Sequence, residues 1–280
     1  MNSPNWLALR GVDPKLLTKA RLETHYAMQW LARAARAYVA EMPADAHTNL
    51  GWDESLAAFT THPLPDGTTL VLRIENTALA LVSAGRIDPG HALVLDGRRE
   101  TDVREWLGQL VAAHGLDPKG LDAPLRWTMP EWPLANGAPY ATGGLADGLR
   151  ELAAWNMNAY RTLVAFQQDL VARGFNAPPV RMWPHHYDFD TLVELGGGRS
   201  TGIGYSPGDH FYDEPYFYVS LNPKPDITKL PLLTGIGRWN TTKFVAPVAT
   251  AERILAAKDP KGAVEAYLHE AIDIANGPRA

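Results

Sequence analysis

The sequence predicts an α+β protein: a duplicated helix–antiparallel-strands–helix unit, with helices covering the sheet. Three observations point there. Two long stretches carry apolar residues at helical spacing, each is followed by short strand-like runs joined by hairpin-length turns, and each group of strands is followed by another amphipathic segment. The implied organisation is a first repeat over residues 1–115, a packed connection over 116–143 and a second repeat over 144–280.

The first helix opens at Asp13-Pro14, an N-cap acceptor followed by the residue best suited to the first helical position. Leu16, Ala20, Ala27, Leu31, Ala34 and Tyr38 continue it to about Glu41, before Pro43. Runs at 55–60, 69–74, 78–82 and 92–95 read as strands, punctuated by Pro65-Asp66-Gly67 and Asp88-Pro89-Gly90. Asp102 with Glu105 resembles a capping box ahead of an apolar face of Val103, Trp106, Leu107, Leu110 and Val111. Residues 116–143 are rich in Pro, Gly and Trp and have no period; so many aromatics imply a segment that packs down. A second long helix covers about 144–173, with Gly174 placed to cap it. Strand-like runs follow at 180–183, 189–195, 200–205 and 215–221, with a further one at 243–245. Asp259-Pro260 starts the last helix. Laying Asp53-Glu54-Ser55-Leu56 over Phe189-Asp190-Thr191-Leu192 aligns an acidic residue, a hydroxyl and a leucine between the halves.

Composition excludes several functions. Lys plus Arg at 26 against Asp plus Glu at 31 leaves a net charge of −5 with no basic run, so no nucleic-acid partner is expected. With no cysteine, disulfides, thiolate nucleophiles and cysteine metal sites are all absent. No run approaches the ~20 apolar residues of a membrane span. The first residues lack a basic segment followed by an apolar stretch, so no signal peptide is read, and a cytoplasmic location is the expectation. Gly196-Gly197-Gly198 and Gly202-Ile203-Gly204 lack the setting of a dinucleotide site and read as a hairpin turn and close backbone packing. Ser206 lies in no nucleophile elbow.

Chemistry concentrates in two segments, Trp183-Pro-His-His-Tyr-Asp-Phe-Asp190 and Ser206-Pro-Gly-Asp-His-Phe-Tyr-Asp-Glu214. His and carboxylate together suit a divalent transition metal, for which His186, Asp188, His210 and Glu214 are the candidate ligands. Two readings stay open: a metal centre, or a metal-free polar pocket in which His185, His186 and Asp188 are the catalytic candidates and a histidine paired with Asp acts as general base. On an extended backbone His185 and His186 point to opposite faces, and His186 shares a face with Asp188 and Asp190. Candidate binding residues are Trp183, Arg181, Tyr205, Asp209, Tyr216 and Asn156, the last a polar residue on the apolar stripe of its helix. Arg181, Arg199 and Arg238 are suited to clamp an anion. The plainer explanations are a hydrogen bond within the fold for the histidines and Asn156, core packing or loop anchoring for the aromatics, ion pairs for the arginines and solvation for the acidic loop residues.

Pro184-His185-His186-Tyr187-Asp188, with Ser206–Asp209 and Glu214–Val219, resembles a family of uncharacterised bacterial proteins, a domain of unknown function. That family carries a Pro-His-His-aromatic-Asp signature before a glycine-rich strand pair. The likeness covers mainly residues 180–223. It implies no activity, but it does imply that His185, His186 and Asp188 do more than pack. The expected function is an enzyme acting on a small polar molecule through a His/Asp/Glu pocket, confined to the second half. The alternatives are a non-catalytic small-molecule-binding protein with an aromatic-lined cleft, or a structural or assembly protein.

Overall fold

The computed structural model describes residues 6–242 and 244–277. It is an α+β protein of helices and two antiparallel sheets. The chain forms two compact units: an N-terminal one of Val12–Ala153 with Met182–Tyr187, and a C-terminal one holding Ala154–Arg181 and the chain from Asp188 onward. Among the described residues no helix is long and apolar enough to cross a membrane.

In the N-terminal unit, helix α1 (Pro14–Tyr38) starts where Asp13 accepts the Lys15 amide at 2.9 Å. Every residue from Ala20 to Ala32 is buried, polar ones included, so α1 is a central helix and not a surface one. Strands β1 (Gly51–Asp53), β2 (Ala58–Thr60), β3 (Thr69–Arg73), β4 (Ala78–Ser83) and β5 (Arg86–Val94) form a meander in that order. Ala58, Val71, Ala80 and Val82 share one of its buried clusters. The punctuation expected at Asp88-Pro89-Gly90 does not end a strand. β5 runs through it, but the register slips between Ala80↔Ala92 and Val82↔Ile87, the sort of irregularity to which Pro is confined inside a sheet. Helix α2 (Glu100–Ala113) begins earlier than its expected cap: Asp102 lies at the third helical position and accepts the Arg99 amide at 2.8 Å.

The aperiodic segment after α2 is bound along α1. Its Pro-rich backbone offers carbonyls with acceptor capacity to spare, and α1 supplies the donors. Tyr38 donates to the Asp117 carbonyl, Arg33 and Arg36 to those of Ala123 and Pro124, and Tyr26 to that of Pro130 at 2.6 Å. In return, the Trp127 indole donates to Gln29, the Trp132 indole to Glu23 at 2.8 Å, and the Ala141 amide to the other Glu23 oxygen. From Glu23 to Arg36 the α1 residues recur at three- and four-residue spacing, with Tyr38 two residues further on, and together they hold the strap antiparallel to the helix.

Helix α3 (Ala146–Ala172) passes from one unit into the other; Gly174, with φ +88°, closes its end through the Phe175 amide to the Leu170 carbonyl. In the C-terminal unit, β7 (Asp188–Gly196), β8 (Arg199–Ser206) and β9 (Tyr216–Asn222) form an antiparallel meander. β11 (Ala246–Thr250) and β10 (Arg238–Asn240) extend it beyond β9. β6 (Arg181–Trp183) enters this sheet beside β7 through Arg181. Phe189, Tyr205 and Phe217 pair across three strands and are fully buried. Helix α5 (Pro260–Asn276) packs on β9 and β11, its Tyr267 hydroxyl donating to the Pro247 carbonyl at 2.7 Å. A short helix, α4 (Ala251–Leu255), precedes it. The run expected at 243–245 falls at Lys243 outside the described residues, and Phe244 and Val245 are not strand.

The two halves share a local structure that the expected alignment misses. β1, a four-residue turn and β2 recur as β6, a four-residue turn and β7, and the last turn residue has positive φ in both, +48° at Ala57 and +58° at Tyr187. These residues stand 130 positions apart, which lays Phe59 on Phe189 and Asp53 on Trp183, not Asp53 on Phe189.

Replacing Glu23 by Ala leaves two donors of the strap without acceptors. The expected result is a loss of about 2–3 kcal/mol in denaturant unfolding and faster protease cleavage within 117–141; Glu23→Gln, which keeps one acceptor oxygen, shows a smaller loss.

Candidate functional site

The signature run is divided between the two units. Pro184–Tyr187 forms the turn between β6 and β7 and belongs to the N-terminal unit. Tyr187, left-handed and fully buried, shares a hydrogen bond with the Thr24 hydroxyl at 3.0 Å and packs against His25 and Phe59. The Pro184 carbonyl meets His25 Nε2 at 2.9 Å and accepts from Gln29 Nε2 at 3.0 Å. Across the same unit Met182 and Leu50 exchange both backbone hydrogen bonds.

This turn overturns the expectation that His185 and His186 point apart. The backbone is not extended there, and the two rings lie 3.9 Å apart, with Trp127 and Trp183 around His185. His186 is exposed. Burial, then the charge of His186, pushes His185 down to about 4. His25 is also pushed down to about 4, first by burial and then by the nearby Arg21, His185 and His186, against the pull of the Pro184 carbonyl. Its Nδ1 has no hydrogen-bond partner among the described residues, so an added proton would find no acceptor.

Asp188 and Asp190 open β7 in the C-terminal unit, two residues apart on one face. In the register, Asp190 stands opposite Gly204 and Gly204 opposite Tyr218. Tyr218 lies across the intervening strand β8 and donates its hydroxyl to Asp188 Oδ2 at 2.6 Å. Gly204 makes the crossing possible: a Cβ there would fall inside the Tyr218 phenol and 2.6 Å from the Phe189 carbonyl. Gly202 is similar, since a Cβ there would stand 2.7 Å from Ser220 Oγ. The neighbouring Tyr216 donates to Asp209 Oδ2 at 2.7 Å, its ring 6.0 Å from that of Tyr218. Asp209 also accepts the Phe211 and Tyr212 amides, which fixes the loop before β9.

The result is a chain of two carboxyls and two phenols on one sheet face. Asp188 is pushed up to about 7, chiefly by burial and also by the Asp209 charge, with the Tyr218 hydrogen bond pulling the other way. Burial holds the Tyr216 and Tyr218 hydroxyls protonated far above neutrality. A carboxyl that exchanges its proton near pH 7 beside fixed phenol donors is equipped for acid–base chemistry.

The other expected residues take different places. Glu214 accepts the Glu252 amide at the start of α4, and His210 is exposed with its ring against Phe211. Among the described residues no three His, Asp or Glu side chains are gathered to hold a metal ion, so His186, Asp188, His210 and Glu214 do not form the expected ligand set. Tyr205 faces the core, stacked on Trp155, and not a ligand. Asn156 is fully buried, and neither of its amide atoms has a hydrogen-bond partner among the described residues. Arg181 and Trp183 are half-buried on β6. The residue that sequence reasoning missed is Tyr218. Its signal was there, in the two-residue alternation of Tyr216 and Tyr218 on β9 beside the glycines of β8.

Comparison with known proteins finds no matching family model, no matching curated protein and no matching solved structure.

Two predictions follow from these environments. His25 is neutral in the fold down to about 4 but near 6.5 when unfolded, so the unfolded chain binds the extra proton first as pH falls between those values. The His25 contribution to stability is therefore complete above pH 6.5 and falls by about 3 kcal/mol on going to pH 4; the difference in unfolding free energy between the parent and His25→Gln, measured in denaturant at pH 7.5 and pH 5, should shift by that mechanism against the parent at the lower pH. Gly204→Ala should cost about 1–3 kcal/mol in denaturant unfolding, since the new methyl must displace the Tyr218 phenol.

Proposed function

We propose that this protein is an enzyme acting on a small polar molecule by proton transfer at Asp188. The observation that carries the reading is the Asp188–Tyr218 pair: a buried carboxyl held at 2.6 Å by a phenol that reaches it across a glycine. In its neutral form Asp188 donates a proton to a substrate oxygen, and in its ionised form it takes one from a substrate or water hydroxyl. Tyr218 orients the carboxyl, and Tyr216, hydrogen-bonded to Asp209, places a second carboxyl–phenol pair beside it.

The recurrence at 130 residues supports an internal duplication in which chemistry belongs to the second copy. Where the second turn has His185, His186 and Asp188, the first has Ser55, Leu56 and Ala58. No metal is needed for this reading.

A panel of p-nitrophenyl esters, phosphates and glycosides tests it. At least one should be turned over with a pH–rate inflection near 7, and Asp188→Asn, which still accepts from Tyr218, should lower that rate by about 100-fold or more without lowering the melting temperature. Turnover unchanged in Asp188→Asn, or no turnover of any member, overturns the assignment.

A further inference from the structure

A concave feature of the C-terminal unit lies away from Asp188, toward the Leu221 end of β9. It is a groove of about 590 Å³ between the last turns of α5, the loop after β9 and the edge strand β10. That volume suits a small organic ligand. Its walls are apolar, formed by Leu221, Leu230, Pro231, Trp239 and Ile274. The Trp239 indole is pinned by donating to the Pro231 carbonyl at 2.8 Å. Leu232, at the lip, is 90% exposed, the most exposed large apolar side chain among the described residues.

Charge around the groove is one-sided. Asp226, Glu270 and Asp273 line it with a single cation, Lys229. Lys229 pairs with Asp226 at 3.6 Å, and Asp273 pairs with Arg173 at 3.3 Å. Glu270 has no cationic partner among the described residues. Its Oε1 accepts the amide and hydroxyl of Thr234, both at 2.7 Å, which holds the carboxylate in place and leaves Oε2 for another donor. A fixed half-buried carboxylate, a wall of aliphatic side chains and an indole together match a positively charged head on an apolar body.

We propose that this groove binds an amphiphilic organic cation, its ammonium head on Glu270 and its apolar body against Trp239, Leu230 and Ile274. The inference is independent of the reaction proposed at Asp188.

Hexylammonium, hexanol and hexanoate, titrated by calorimetry into the full chain at pH 7 and low salt, separate charge from apolar burial. Hexylammonium should bind at least tenfold more tightly than either of the others and weaken as salt is added. Glu270→Gln, which keeps the Thr234 acceptor, should reduce it to the level of hexanol, and Trp239→Ala should weaken both. Equal binding of the three probes, binding unaffected by Glu270→Gln, or no binding by the folded protein overturns the proposal. So does a concentration-dependent dimer abolished by Leu232→Ser, which would assign the groove to a second copy of the chain.

Discussion

The N-terminal unit depends on one stripe of α1. From Glu23 to Arg36 its polar side chains, set three and four residues apart, and then Tyr38 bind the strap that runs from Asp117 to Ala141. A proline-rich segment cannot satisfy its own backbone, and a helix buried on all sides cannot leave its polar groups bare. Each solves the other's problem. Further along the same helix, Thr24, His25 and Gln29 secure the turn that carries His185 and His186. The turn is thus held by a network whose first requirement is backbone satisfaction, and the lowered basicity of His185 follows chiefly from its burial.

In the C-terminal unit the governing constraint is the absence of side chains on β8. Gly204 lets a tyrosine from β9 lie over one strand and reach an aspartate on the next. The opposite face of the same three strands is a closed row of Phe189, Tyr205 and Phe217. One face of the sheet therefore supplies the packing and the other holds the carboxyl–phenol pairs, and the two-residue alternation of the strands keeps them apart. Asp188 combines both: it is buried enough to hold its proton near neutrality, yet placed on the polar face.

Much of the fold was legible along the chain. The long helices announce themselves through caps such as Asp13-Pro14 and Asp259-Pro260, because capping is local chemistry. The hairpin strands β3, β4, β7, β8 and β9 are long enough, and bounded clearly enough by turn residues, to be read. Three-residue strands such as β1 and β10 do not, since a ladder that short is defined by its partner. The shared turn was invisible because neither Ala57 nor Tyr187 is a residue type that favours positive φ; the surrounding packing imposes it. That left the halves aligned six positions out.

For the candidate site, the sequence by itself determined which residue types are capable of chemistry and that they cluster in two short segments of the second half. Residue type and local density are properties of the chain, so Asp188, Asp209 and Tyr216 were found without coordinates. Only the tertiary structure decided which of them meet. A turn at Pro184–Tyr187 brings His185 and His186 together and gives them to one unit, while strand register gives Asp188 to Tyr218 in the other. Partnership depends on register and on one left-handed residue, and neither is written in the spacing of the side chains they bring together.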